Sequence, residues 1–513
     1  MSCFKFLSAS RNLWAVSDHL LIMKHLSRRS FLKSAAVTTT AVTWSAKSWS
    51  QISGANEDIR FATVGFGGRG GDHINGLSKV KGCRLAGLCD VDEAILGREK
   101  KRWNDQGITV EGHKDIRKLL ESKNIDVISI ATPNHWHALA AIWAVQAGKD
   151  VYVEKPVSHN VWEGRQIVEA ARKYQKIVQA GTQSRSSQAI HQAIEWVRAG
   201  HLGKITAARG LCYKPRPSIG KVDGPQPVPA GIDYDLWCGP APMDPIRRKR
   251  FHYDWHWFWN YGGGDLANQG IHQMDIARWF LGVNELSPRV LSIGGRLGYD
   301  DDGETPNTLV VFHDYAPAPL LFEVRGLPRT KQLIKDGGWG ANDMDKFPKD
   351  IGASVAAIIH CEGGTIVVAS ETSVAAYDKS NKKITEWKGT EHHYANFISA
   401  VRSRKYTELN ADILQGHLSS ALCHTGNISY RLGKKQLQSA TLEAIKANHE
   451  LTECTQRMFY HLAENEIHRY AHQSTFGMAL TMDPKSERFL DNDAANEMIS
   501  RPYRKPYVVP EKV

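Results

Sequence analysis

Three glycines near residue 65 have the spacing of a turn that holds a phosphate group. They follow the short apolar run 59–64 and read Gly65-x-Gly67-x-x-Gly70. In such a turn the first glycine permits the tight bend, the second lets backbone approach a pyrophosphate, and the third lets a helix pack on the strand. Because a chain with 43 glycines produces similar patterns by chance, the neighbouring elements must decide its meaning.

An acidic residue follows at the position that a dinucleotide site requires. The apolar run 83–89 predicts a second strand, and Asp90 stands directly after it. A carboxylate there binds ribose hydroxyls and repels a 2′-phosphate, so the pattern favours NAD over NADP. Asp92 is interpreted as the cap of the next helix.

Apolar runs alternate with amphipathic segments through residues 57–180. We predict strands at 125–130, 150–153 and 177–179, and helices at 72–80, 138–147 and 161–174. This alternation implies a doubly wound parallel sheet, which binds ligands at the carboxyl ends of its strands. His135 and His137 follow one of these strands, but no third ligand stands at metal-binding spacing beside them. We expect hydrogen bonds within that loop and no metal site.

Together these motifs resemble the Gfo/Idh/MocA oxidoreductases, the family of glucose–fructose oxidoreductase and inositol dehydrogenase. The resemblance rests on the glycine turn, Thr132-Pro133-Asn134-His135-x-His137, Gly148-Lys149 and Glu154-Lys155-Pro156. It implies an α/β chain: an N-terminal NAD(P)-binding Rossmann domain, then an α+β domain with an open, mainly antiparallel sheet. Family members commonly assemble through that sheet, so the resemblance also implies a homo-oligomer, a dimer or tetramer.

The expected cofactor is NAD, tightly bound. The domains are expected at 57–180 (Rossmann), 181–440 (substrate binding and oligomerisation) and 441–513 (helical and extended tail), after a signal in 1–50. The predicted cofactor-binding residues are Gly65, Phe66, Gly67, Gly68, Arg69, Gly70, Asp90, Thr132, Pro133, Asn134, His135, Glu154 and Lys155.

The resemblance also implies where the chemistry lies. In the family a triple-glycine turn precedes a helix with an Asp and, four residues later, a His; here these positions are Asn268 and His272. His272 would take a hydroxyl proton, and Lys155 would polarise the same oxygen. Asn268 carries no charge, so it cannot raise the pKa of His272 as a carboxylate would.

Alternatives remain at each of these positions. Asp265 or Asp275 could compensate for Asn268, although neither has the expected spacing. Lys155 could instead form a structural ion pair, and His272 could be a structural core histidine.

A dense aromatic patch precedes the triple-glycine turn. Trp255, Trp257 and Trp259 alternate with polar residues, which is typical of a sugar-stacking surface and also of a packed aromatic strand. We predict these three tryptophans, with Lys155, Asn268 and His272, as substrate-binding residues. Before the patch, residues 213–250 are rich in Pro and Gly, and a loop of this length is usually functional or an arm.

The remaining chain is predicted to be β-rich from residue 289, with strands at 290–294, 308–312, 320–324, 355–360 and 365–369. Residues 329–351 are interpreted as an exposed insertion. Helices are expected at 394–402 and 413–429. The chain past 440 is predicted to be helical and then extended.

The first fifty residues resemble an export address. Arg28-Arg29 followed by Phe31-Leu32-Lys33 is similar to a twin-arginine signal, and residues 34–46 are uncharged and too short to span a bilayer. This predicts the twin-arginine machinery as a partner, a periplasmic or other extracytoplasmic location, and no stable membrane anchor. Either Met1 or Met23 is compatible with the start.

The composition is that of an ordinary soluble globular protein. Hydrophobic residues make up 42% and charged residues 23% of the 513 positions. Seven of the 65 lysines and arginines lie in the first fifty residues, so the net charge of +11 is partly that of the signal. We expect no nucleic-acid partner, because the other basic residues are interspersed with acids. Eight scattered cysteines form no C-x-x-C pair.

Three functions follow from these patterns. The first is an exported NAD-dependent oxidoreductase that acts on a hydroxyl of a sugar, polyol or glycoside. The second is an NAD-dependent glycosidase or lyase that uses a retained cofactor for transient sugar oxidation. The third is a sugar-binding protein with impaired catalysis, for which Asn268 is the only argument.

Overall fold

The computed structural model describes residues 58–467 and 473–513 of the chain. The predicted export signal lies outside the described residues. No helix within those two ranges is both long and apolar enough to cross a lipid bilayer.

The first domain is built on six strands that are all parallel. The strands are β1 (Ile59–Val64), β2 (Cys83–Cys89), β3 (Glu111–His113), β4 (Val127–Ile130), β5 (Asp150–Val153) and β6 (Val178–Ala180). The helices between them are α1 (Gly70–Ser78), α2 (Glu93–Asn104), α3 (Ile116–Leu120), α4 (Asn134–Gln146) and α5 (Val161–Lys173). The strand order is β3-β2-β1-β4-β5-β6, a doubly wound sheet with its ligand edge at the strands' carboxyl ends.

The second domain has a larger, mostly antiparallel sheet. Its helices are α6 (Gln188–Arg198), α7 (Tyr234–Cys238), α8 (Ile271–Leu281), α9 (Lys331–Lys335), α10 (His393–Ser403), α11 (Ile413–Arg431), α12 (Gln438–Ile445), α13 (His449–Glu464) and α14 (Asp493–Glu497). Its strands are β7 (Ile205–Tyr213), β8 (Arg289–Gly295), β9 (Thr308–His313), β10 (Leu320–Arg325), β11 (Val355–Cys361), β12 (Gly364–Ser370), β13 (Ser373–Asp378), β14 (Lys383–Lys388), β15 (Lys434–Leu437), β16 (Gln473–Phe476), β17 (Leu480–Asp483) and β18 (Arg488–Phe489).

The order in this sheet is β14-β13-β12-β11-β7-β10-β9-β8-β16-β15. Only β7 and β10 pair in parallel along that path. The predicted fold class, a Rossmann domain followed by a domain with a mainly antiparallel sheet, is therefore confirmed.

Both faces of the larger sheet carry helices from this chain. One face packs on α6, α8 and α11 in a single apolar cluster. On the other face, Leu451, Met458 and Leu462 of α13 pack on side chains of β8, β9 and β10. The family resemblance implies assembly through this sheet, and α13 covers part of the sheet surface. The homo-oligomer stays a prediction.

The second domain also has local features that the sequence did not predict. β13 and β14 were not expected as strands, because β14 is short, largely exposed and rich in lysine. Residues 329–351 are not simply an exposed insertion: Met344 is buried in a cluster with β7 and β11. Residues beyond 440 also contribute strands to the larger sheet, since β16 and β17 both pair with β8.

A buried ion pair joins the two domains. Arg185 lies in a short helical turn after β6, and its guanidinium donates to both carboxylate oxygens of Asp275 on α8 at 2.8–3.0 Å. The two residues are 5% and 1% exposed. Ser419 of α11 donates a further hydrogen bond of 2.5 Å to the same carboxylate. Since every partner comes from a different element, the pair fixes α8 against the end of the Rossmann sheet.

We predict that Asp275→Ala lowers the free energy of unfolding by about 3–5 kcal/mol, because Arg185 is then left buried without its counter-charge. Urea unfolding followed by tryptophan fluorescence measures this loss. Asp105→Ala is the matched control: it removes an exposed pair with Lys101 and should change stability by less than about 0.5 kcal/mol. Equal losses in the two variants would contradict the prediction.

Candidate functional site

The glycine turn between β1 and α1 is shaped for a close ligand. Gly65 has φ +75°, and a Cβ there would lie 2.8 Å from the Cα of Thr132. A Cβ on Gly70 would lie only 2.0 Å from the carbonyl oxygen of Gly65, so this glycine permits the helix to pack on the turn, as predicted. Gly67 and Gly68 line the large cavity beside the turn.

Asp90 lies at the carboxyl end of β2 and faces the same cavity. Its Oδ2 accepts a hydrogen bond from the Phe66 N–H at 2.9 Å, and its Oδ1 accepts one from the Asp92 N–H at 3.0 Å. Burial raises the pKa of Asp90, whereas these two N–H donors oppose that rise. Each oxygen keeps a second lone pair, which can accept from a ribose hydroxyl. Asp92 caps α2, as predicted.

The cavity has a volume of about 670 Å³ and receives residues from both domains. Volumes of roughly 300–1,000 Å³ are typical of small-molecule sites. Thr132, Pro133 and Asn134 line it, and the hydroxyl of Thr132 is buried without a hydrogen-bond partner among the described residues. An unsatisfied buried hydroxyl beside side-chain-free glycines fits a polar ligand that supplies the missing bond. The residues present therefore fit a dinucleotide.

Three of the predicted cofactor residues do not line the cavity. The side chain of Phe66 is buried, and only its N–H acts at the site, through Asp90. Gly70 acts in packing. His135 is buried, and its Nε2 hydrogen-bonds the carbonyl oxygen of Trp237 at 2.8 Å. His137 likewise bonds the backbone carbonyls of Pro156 and Thr132, which is the loop hydrogen bonding that the sequence predicts.

Glu154 is the centre of a buried polar network at the end of β5. It is 4% exposed, and His73, Gln183 and Arg69 contact its Oε1 at 3.1–3.2 Å. Burial alone would raise the pKa of Glu154, but the His73 hydrogen bond and the charges of Lys155 and Arg69 hold it well below its usual range. A fixed negative charge thus stands beside Lys155.

Lys155 reaches the helix that carries His272. Its Nζ donates to the carbonyl oxygen of Asn268 at 2.7 Å and lies 3.4 Å from the Oδ1 of the same residue. Asn268 lies in a π-helical turn, Leu266–Gly270, that precedes α8; such turns are frequent at functional sites. Burial lowers the pKa of Lys155, while the charge of Glu154 opposes that effect.

His272, one helical turn beyond Asn268, lines the cavity with Lys155. Burial, followed by the charge of Lys155, lowers the pKa of His272 to about 3. Its ring nitrogens make no hydrogen bond to any described residue. The imidazole is therefore neutral near pH 7 and has a nitrogen available to accept a proton.

Both acids near Asn268 are paired with arginines. Arg216 donates to both oxygens of Asp265 at 2.8–3.0 Å, and Asp275 is bound by Arg185. Both carboxylates are 1% exposed and outside the residues that line the cavity. Each carboxylate is thus paired with an arginine, although the charge of Asp275 still opposes the lowering of the His272 pKa.

Two of the three tryptophans, Trp255 and Trp257, lie in a short 3-10 helix, Asp254–Trp257, and Trp259 follows it. Trp255 lines the main cavity and stacks on His256, with ring centroids 3.7 Å apart. Trp257 is buried beneath the guanidinium of Arg216, and Trp259 lines a small second cavity of about 40 Å³. The structure thus brings one of the three to the main cavity.

Other residues of the cavity wall were not predicted from the sequence. They include Gln183, Ser184, Leu236, Trp237, His252, Tyr253, His256, Gln269, Gln273 and Glu371. Gln269 and Gln273 flank His272 in sequence, so their helix spacing was a usable signal. Glu371 lies at the turn between β12 and β13, where no local pattern indicates a site. The described residues contain no group of three or more side chains that could hold a metal ion.

Comparisons with known proteins agree with this architecture. Residues 59–182 match a family model described as "Oxidoreductase family, NAD-binding Rossmann fold", and residues 199–308 match one described as "Oxidoreductase family, C-terminal alpha/beta domain". Among solved structures, the WlbA dehydrogenase from Bordetella pertussis, in complex with NADH and UDP-GlcNAcA, aligns with a TM-score of 0.50 and 21% identity over 71% of this chain and 94% of that one. The aldose-aldose oxidoreductase from Caulobacter crescentus aligns with a TM-score of 0.52 and 15% identity over 72% and 98%. These likenesses show the fold.

Curated relatives are similar over a shorter stretch. "Glycosyl hydrolase family 109 protein 2" from Shewanella sp. (strain ANA-3) is 29% identical over 176 residues, and "Alpha-N-acetylgalactosaminidase" from Shewanella oneidensis is 29% identical over 177 residues. Each alignment covers 30% of this chain and 39% of the relative. The two family-model matches, which fall in order on the Rossmann domain and on the domain with the larger sheet, support the Gfo/Idh/MocA oxidoreductase family for this chain.

Proposed function

We propose that this protein is an NAD-dependent oxidoreductase that acts on a hydroxyl group of a sugar, polyol or glycoside. The observation that carries the proposal is the convergence of Lys155 and neutral His272 on one cavity that also holds the glycine turn and Asp90. When bound, NAD supplies an acceptor for the hydride that leaves the carbinol carbon.

The side chains of the site have separate roles in this proposal. His272 accepts the hydroxyl proton, since its imidazole is neutral and its ring nitrogens are free of protein partners. Lys155 uses one N–H to hold the Asn268 carbonyl and has further N–H groups to donate to the substrate oxygen. Trp255, stacked on His256, offers an apolar face to the C–H groups of a sugar ring.

A second candidate is an NAD-dependent glycosidase or lyase with a retained cofactor. The relatives named as glycosyl hydrolase family 109 proteins favour it, although their similarity spans less than half of their own length. The third candidate, a binding protein with impaired catalysis, rests on Asn268 alone, because an uncharged amide cannot raise the pKa of His272 as a carboxylate would. We also propose export by the twin-arginine route, on the basis of Arg28-Arg29 and the uncharged stretch 34–46.

The first test is mass spectrometry of the purified full-length protein, followed by assays on panels of sugars and glycosides. We predict bound NAD and net NADH formation, with at least about a 100-fold loss of rate in Lys155→Ala and in His272→Ala, because general-base catalysis contributes roughly 10²–10⁴-fold. His449→Ala, at a side chain that is 89% exposed, is the control and should keep the full rate. Release of an aglycone without net NADH would instead establish the second candidate, and no dinucleotide binding at all would exclude both.

The uncharged residue at 268 gives a prediction about pH. Asn268→Asp places a carboxylate one helical turn from His272, which raises the pKa of His272 above about 3. Since the base must be neutral to accept a proton, the acidic limb of kcat/KM should move to higher pH by about 1 unit or more. Asn284→Asp, at an exposed position after α8, is the matched control. An unchanged acidic limb in Asn268→Asp would argue against His272 as the base.

Asp90 gives a prediction about cofactor choice. We expect Asp90→Ala to weaken NAD binding by roughly 10–150-fold, the value of a hydrogen bond to a charged group, and to reduce the preference for NAD over NADP. Calorimetric titration with each dinucleotide measures both effects. Equal affinity of the unaltered protein for NAD and NADP would contradict this role.

A further inference from the structure

A segment of the second domain covers one end of the cavity. Leu236 and Trp237, in α7, line the cavity together with Asp90, Val91 and Ile116. β2, which carries Asp90, lies three strands from β5, which leads to Lys155. At about 4.8 Å per strand these ends are roughly 14 Å apart. Residues 229–241, here called the cover, thus adjoin the Asp90 end of the cavity and reach His135 and Trp136 after β4.

Backbone hydrogen bonds hold the inner edge of the cover to the Rossmann domain. The Glu93 N–H donates to the carbonyl of Gly231 at 3.1 Å, and the Asp233 N–H donates to the carbonyl of Val91 at 3.2 Å. Beneath the cover, the indole N–H of Trp136 donates to the carbonyl of Leu236 at 2.9 Å. The cover therefore adjoins the residues directly after Asp90.

The outer edge of the cover is held by the end of the chain. The Tyr507 hydroxyl donates to Oδ2 of Asp235 at 2.7 Å, and Arg504 pairs with the same carboxylate. Arg504 also donates to the carbonyl oxygen of Asp235 at 2.6 Å. Asp235 thus receives its bonds from residues more than 260 positions later in the sequence.

The chain end is itself anchored on the Rossmann domain. Tyr507 and Val509 are 2% and 1% exposed and belong to the apolar core around α4. The Tyr507 ring packs edge-on against Trp136, with centroids 5.6 Å apart. Lys173 of α5 donates to the carbonyl oxygen of Val513 at 2.5 Å. Buried aromatic packing therefore fixes the chain end that holds the outer edge of the cover.

We propose that Asp235, Arg504 and Tyr507 form a latch that closes the cover over a bound dinucleotide and slows its release. This inference rests on the proposed function, because it assigns these residues to NAD retention. The latch residues touch the cover and the core, so they are positioning residues without a part in the chemistry.

The test measures the release of NADH from full-length protein loaded with it, by the loss of NADH fluorescence after an excess of NAD is added. We expect Tyr507→Phe, which keeps the buried ring and removes only the hydroxyl, to speed release by about tenfold. Asp235→Ala should speed release at least as much, since it also loses the Arg504 pair. Adding Tyr507→Phe to Asp235→Ala should change little further, because Asp235→Ala already removes the acceptor of the Tyr507 hydroxyl.

Tyr503→Phe is the matched control. Tyr503 lies in the same chain end and donates a similar bond, 3.0 Å long, to a carboxylate oxygen of Glu163 on α5, but it does not contact the cover. If Tyr503→Phe and Tyr507→Phe speed release equally, or if neither does, the latch is overturned. A specific effect of Tyr507→Phe, with faster amide hydrogen exchange in 229–241 and an unchanged unfolding midpoint, supports it. If the unaltered protein binds no NADH, the proposed function is contradicted. If it binds NADH but Tyr507→Phe does not speed release, only the latch is contradicted.

Discussion

The position of the reactive groups depends on the buried pair between Arg185 and Asp275. Arg185 extends from the turn after the last Rossmann strand, and Asp275 lies on the helix that carries His272. A buried ion pair is weak support for stability, since desolvation offsets much of its attraction. Its directional, bidentate geometry nevertheless defines one arrangement of the two domains. Ser419 adds a third element to the same carboxylate, and its neighbour Ser420 accepts the N–H of Val157, just beyond Lys155.

The same pair determines the electrostatics of the site. Because Asp275 is bound to Arg185 and Asp265 to Arg216, no unpaired carboxylate from this helix faces His272. Burial has the largest effect on the pKa of His272, and the ammonium of Lys155 lowers it further against the opposing charges of Glu154 and Asp275, so the imidazole is neutral near pH 7. Asn268 then acts by geometry: its carbonyl, in the π-helical turn, holds Lys155 close to the base. A carboxylate at 268 would raise the pKa values of both Lys155 and His272, whereas the neutral amide leaves the imidazole unprotonated near pH 7 but weakly basic.

The sequence was sufficient for the parts of the fold that depend on local patterns. β2 and β5 have the predicted bounds, because strands buried on both faces form continuous apolar runs. The glycine turn and Asp90 follow from steric and hydrogen-bonding rules within about 25 residues. The positions of the three tryptophan rings were harder to predict. Their alternation with polar residues resembles a strand, whereas the chain forms a 3-10 helix there and the three rings lie in different places. Contacts such as Tyr507 with Asp235 join residues 272 positions apart, and no local pattern specifies such a pair.

Retention of the cofactor also bears on the choice between the two proposed reactions. A dehydrogenase that passes its electrons to solution must release reduced cofactor in every cycle, so a latch that slows release would limit its rate. A reaction that returns the hydride within the same cavity has no such limit. The electrons would go back either to the same sugar after elimination, as in a glycosidase, or to a second sugar that replaces the first. The cover adjoins Asp90 and the residues after β4, and it lines one cavity with Lys155 and His272. Release of NADH slower than turnover would therefore favour a reaction without net NADH formation, whereas release faster than turnover would favour the proposed dehydrogenase.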